Sequence, residues 1–136
     1  MAQILTTHVG SLPRSQEVVD FIFARERNTP FAQADFDAAM TRAVSETVKK
    51  QVDAGVDIVS DGETSKGELE KDIANLNAGM AQHGAKRGFM NAASPGVISL
   101  FLQNSYYKTR EAYLAALADA MKAEYETIVA SGLDLQ

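Results

Sequence analysis

"GVDIVSDGE", residues 55–63, sets Val56, Ile58 and Val59 ahead of Asp61, Gly62 and Glu63. The first three are the apolar, β-branched residues of a strand covered on both faces. The two acids do not belong in a core, because burying a carboxylate without a partner is costly. Either they reach solvent at the strand's end, or that end faces something they bind. Upstream, Phe36, Met40, Val44, Val48 and Val52 recur every four residues, and Ala39, Ala43 and Thr47 widen the stripe. That spacing predicts a helix over 31–54 packed on one side, stopped by Gly55 at its C′ position.

The same alternation extends in both directions. "ILTTHVG", residues 4–10, reads as a first strand closed by Gly10. "SLPR" turns, Ser15 caps a short helix to about Arg25, and the charge run "RERN" reads as its solvated end. A helix is expected over 67–82, with Leu69, Ile73 and Leu76 inward and Gly84 at its end. "GFMNAASPG", 88–96, reads as a third strand. Thr109 caps a last helix whose apolar side is Tyr113, Leu117, Met121, Tyr125 and Ile128, and "LDLQ" starts a fourth strand after Gly132. "DAGVDIV" and "ASGLDLQ" repeat one helix-to-strand joint. Parallel strands with right-handed crossovers follow from that order, and in such folds ligands collect at the strands' carboxyl ends.

Composition excludes several classes. The chain has 136 residues, 46% hydrophobic and 23% charged, as expected of one globular domain. A net charge of −5 disfavours nucleic acid and anionic membranes as partners. No apolar run approaches the ~20 residues of a membrane span. There is no cysteine, so the chain builds no disulfide and no thiolate zinc site. A cytoplasmic setting is the expectation, since the N-terminus lacks a signal-peptide pattern.

Five ordered blocks, "TTHVGSLPR", "GVDIVSDGE", "KDIANL", "FMNAASPGVISLF" and "EYETIVASGLDLQ", together resemble the catalytic barrel of cobalamin-independent methionine synthase and its shorter bacterial relatives. The resemblance implies a (β/α)8 barrel that moves a methyl group from a methyl-folate to the thiol of homocysteine on a zinc. It also implies two departures. A long segment that relatives carry between the "SDGE" and "KDIANL" blocks is here replaced by "TSKGE". The zinc ligands, a histidine, two cysteines and a glutamate, lie beyond the matched blocks. The expectation is an α/β single domain, residues 1–136, forming about half of a TIM barrel with four parallel strands. Such a chain is expected to be inactive alone and to bind neither zinc nor methyl-folate tightly. Its exposed sheet edges predict a homodimer or larger assembly. The rival reading is a non-catalytic half-barrel, serving assembly or binding a small molecule.

By this resemblance the backbone N–H groups of Val9, Gly10 and Ser11 hold the substrate carboxylate, and Glu63 pairs with its ammonium. Exposed N–H groups in a turn suit an anion, although the same turn also suits a plain strand end. A solvated loop acid is the bland alternative for Glu63. Asp61 reads as a strand-end turn residue. His8, beside the turn, is a hydrogen-bonding candidate and not a metal site by itself. His83 reads as structural, at a helix C-terminus. Ser94, Pro95 and Phe101 correspond to the folate side, with Phe101 either stacking on a pterin or filling core. Tyr106 and Tyr107 read as a helix-entry anchor.

Overall fold

Four of the helices start or stop where side-chain chemistry requires it. The Ser15, Ser94 and Thr109 hydroxyls accept the N–H groups of Val18, Val97 and Ala112, and Gly84 closes another helix in the left-handed conformation. The computed structural model describes residues 4–64 and 68–136. Among these residues, five helices and a three-stranded parallel sheet make a mixed α/β arrangement. The chain divides into two compact units, Met1–Phe89 and Met90–Gln136.

The first unit holds α1 (Gln16–Glu26), α2 (Gln33–Asp53), β1 (Ile58–Val59), α3 (Leu69–His83) and the start of β2 (Arg87–Met90). Strands β1 and β2 pair in parallel, with Ile58 opposite Arg87 and Val59 opposite Gly88. The expected first strand is much reduced. Only Thr7 makes a bridge, parallel to Ile58. Asp57 does part of the work instead: its carboxylate accepts both the Thr6 N–H and the Thr6 hydroxyl, each at 2.8 Å. The expected start of α3 at Gly67 lies outside the described residues, as does the middle of "TSKGE".

Helices α1 and α2 pack through Val18, Met40 and Ala43, flanked by Ile22 and Phe36. Phe21, Phe31 and Phe36 form an aromatic trio with ring centroids 5.3–5.8 Å apart. The "RERN" run is not wholly solvated: Arg25 lies over Phe36 and Arg27 over Phe23. Between α2 and α3, Gly79 lets the helices approach, since a Cβ there would stand 3.3 Å from Val48 Cγ2 and 3.5 Å from Ser45 Cα. Leu76, Val44 and Val48 are fully buried. His83 Nε2 and Ser45 Oγ meet at 2.9 Å, which fits a structural role.

One detail of α2 departs from the four-residue pattern. Each step of four residues overshoots a full turn by about 40°. The buried face therefore drifts, leaving Val52 half-buried and drawing Gln51 inward to 4% exposure.

The second unit holds α4 (Pro95–Phe101), α5 (Arg110–Ala130) and β3 (Asp134–Leu135). The third strand is shorter than expected: it ends at Met90, and Pro95 and Gly96 open α4. Proline suits the first helical turn because its missing N–H would be unpaired there anyway. The chain end pairs with the segment after β2 through Gln136 N to Met90 O and Ala92 N to Gln136 O, both 3.0 Å. Of the apolar side expected for α5, only Ile128 is buried; Tyr113, Leu117, Met121 and Tyr125 are half-buried. Tyr113 and Tyr125 donate their hydroxyls to Leu102 O and Ala93 O. Tyr106 is exposed, while Tyr107 stacks on Tyr113. Among the described residues no helix is long and apolar enough to cross a membrane.

Candidate functional site

The site in the first unit starts from Gln51. Its side-chain amide donates to Ser60 O at 2.7 Å and to Thr47 O at 3.1 Å, and its oxygen accepts the Ser60 N–H at 3.1 Å. Both backbone groups of Ser60 are thus held by a helix behind the strand. From there the chain folds on itself. Ser60 Oγ accepts the Gly62 N–H at 3.1 Å, and Asp61 Oδ1 accepts the Glu63 N–H at 3.0 Å. Asp61 therefore turns the strand end, as its position in the sequence suggests. Gly62 and Glu63 both adopt positive φ, 67° and 53°.

The other strand tip meets this turn directly. Leu12 N–H donates to Gly62 O at 3.0 Å, and the Ser11 hydroxyl donates to the Glu63 carboxylate at 2.5 Å. The Arg14 guanidinium donates to Glu63 O at 2.5 Å and to Thr64 O at 3.2 Å. Residues about fifty apart in sequence thus form one continuous rim. The N–H groups of Val9, Gly10 and Ser11 donate to no group among the described residues, and all three residues are exposed. His8 is half-buried, and its Nε2 is buried without a hydrogen-bond partner among the described residues.

Burial pushes the Asp61 carboxyl above the ordinary carboxylate range. The negative charges of Asp72 and Glu63 push the same way, and the Glu63 N–H opposes them. A raised folded-state pKa means the fold favours the protonated acid. That contribution is full below the unfolded value of about 4 and is lost as pH rises through the folded value. Asp61→Asn keeps an oxygen for the Glu63 N–H and never charges. Thermal melts are expected to show it gaining stability relative to the parent between pH 4 and pH 7; a relative loss over that window would contradict the assignment. Asp57 has the opposite sign, because the Thr6 N–H and then the Thr6 hydroxyl hold its carboxyl below the usual range. Its contribution is present above its unfolded pKa and lost as pH falls through the folded one.

The remaining candidates, Ser94, Pro95 and Phe101, belong to the second unit. Ser94 and Pro95 serve as cap and first residue of α4, and Phe101 is 81% exposed at its end, so it is not core. Gln51, Arg14 and the buried Asp72 were not legible as site residues. Gln51 left one trace, a polar side chain at the edge of an apolar stripe.

A parallel α/β frame carrying its polar side chains on adjoining carboxyl-end tips is the place where such folds collect ligands, which makes this rim the candidate site. The family model described as cobalamin-independent synthase, catalytic domain, matches residues 4–98, and the chain belongs to that family. No curated protein matches the sequence. The family's zinc does not fit the residues present. The chain has no cysteine, and no three His, Asp or Glu side chains among the described residues converge as a ligand set.

Proposed function

We propose that this chain carries the amino-acid half of a methionine-synthase-like site on about half of a (β/α)8 barrel, in the cytoplasm. The observation that carries this reading is the Ser11–Glu63 hydrogen bond, which sets a carboxylate against a turn whose N–H groups donate to no group among the described residues. An α-amino acid thiol such as homocysteine has the complementary charges. Its carboxylate takes the N–H groups of Val9, Gly10 and Ser11, and its ammonium takes Glu63. His8 Nε2, a buried nitrogen without a hydrogen-bond partner among the described residues, is satisfied by a polar atom entering beside them. These residues bind and orient the substrate. The chain itself supplies no thiolate ligands for a zinc, and toward a folate Phe101 offers an exposed ring.

Titration calorimetry with L-homocysteine tests the reading. The parent chain is expected to bind, and Glu63→Gln to lose about tenfold in affinity, the worth of one charge-assisted hydrogen bond. Equal affinity in both would refute the role of Glu63.

A second reading, assembly of the chain with its own copies, is favoured by Leu100, Phe101 and Tyr106, exposed at 75%, 81% and 86%. Light scattering at micromolar concentration separates the two. A stable monomer that binds homocysteine leaves only the first.

A further inference from the structure

The Glu63 carboxylate has acceptor sites for a ligand's ammonium as well as for the Ser11 hydroxyl. Where it can present them depends on the spacing of the two tips. Among the described residues that spacing is held by the Leu12 N–H on Gly62 O and by the Arg14 guanidinium on Glu63 O and Thr64 O, besides the Ser11 bond. We infer that Arg14 is the positioning residue that sets this spacing and thereby makes the site selective for an α-amino acid, whose carboxylate and ammonium share one carbon. The inference rests on the amino-acid reading above.

Three features support it. Arg14 is half-buried and uses two nitrogens of its fork on two consecutive peptide carbonyls, those of Glu63 and Thr64. Among the described residues it forms no ion pair, so its role here is geometric rather than neutralising. The backbone it grips is also strained. Glu63 is a non-glycine residue at φ 53°, a conformation that persists only where its surroundings enforce it. Moreover, Arg14 lies three residues from Ser11 on the same segment. Anything that loosens its grip shifts the turn and the Glu63 carboxylate relative to each other.

The test compares L-homocysteine with 4-sulfanylbutanoate, the same thiol acid without the amine, by titration calorimetry on the full chain. The parent is expected to prefer homocysteine. In Arg14→Ala, homocysteine affinity is expected to fall tenfold or more while 4-sulfanylbutanoate changes less than twofold, collapsing the ratio. A merely structural role would lower both affinities together. Arg14→Lys, which keeps the charge and can reach one carbonyl, is expected to give an intermediate ratio, and it is the variant read if Arg14→Ala does not fold. Parent-like ratios in the variants, or equal losses for both ligands, would overturn the role of Arg14 and leave the amino-acid reading standing. No binding of homocysteine by the parent would overturn that reading, and the selectivity with it.

Discussion

Gly62→Ala is expected to destabilise the first unit by about 3 kcal/mol, combining left-handed strain of about 1–2 kcal/mol with overpacking of about 1–3 kcal/mol. Gly62 sits at φ 67°, and an added Cβ would stand 2.8 Å from Thr47 Cγ2 and 3.0 Å from Leu12 Cβ. Neither neighbour can yield easily. Thr47 is buried on α2, and Leu12 is tied to Gly62 by its own N–H. The methyl therefore pushes the two tips apart at the point where they are stitched, and homocysteine binding should disappear along with the stability. Gly10→Ala is the control. It shares the positive φ, at 92°, but meets nothing within 4 Å. It should cost only the conformational strain. Urea denaturation compares the two, and a Gly62→Ala loss no greater than that of Gly10→Ala would refute the packing argument.

Gln51→Leu is expected to cost a similar amount, about 3 kcal/mol, for a different reason. Leucine fills the space but leaves the buried N–H and C=O of Ser60 without partners, and each orphaned group costs about 1–3 kcal/mol. Ser60 is 5% exposed, so water does not readily replace the amide. The loss should appear as a lower urea midpoint with an unchanged slope. Because Ser60 Oγ in turn holds the Gly62 N–H, the variant should also weaken homocysteine binding. A substitution within 1 kcal/mol of the parent would show that the Ser60 groups find other partners. Gln51→Glu keeps the acceptor for Ser60 N–H but loses the donor to Ser60 O. It is expected to destabilise as well.

Helix ends were legible in the residues because capping is local. Ser15, Thr109, Gly84 and Gly132 act through hydrogen bonds or backbone angles within a few residues of themselves. Strand lengths were less so. The segment over 4–10 has strand-forming residues throughout, yet only Thr7 makes a bridge, because pairing depends on a neighbour that local propensity does not see. The residues over 91–96 show the reverse. Pro95 favoured the start of a helix over the continuation of a strand, and Ser94 was placed to cap it.

The amino-acid sequence by itself determined the alternation of helix and strand, the placing of Asp61 and Glu63 at a strand end, and the lack of thiolate ligands. All three follow from periodicity, side-chain type and count. Tertiary structure alone decided that Ser11 meets Glu63, that Arg14 clasps the carbonyls beyond it, and that Gln51 rather than Val52 turns inward. Those contacts join residues about fifty positions apart or depend on a few tens of degrees of helix rotation. Only the packed chain fixes such quantities.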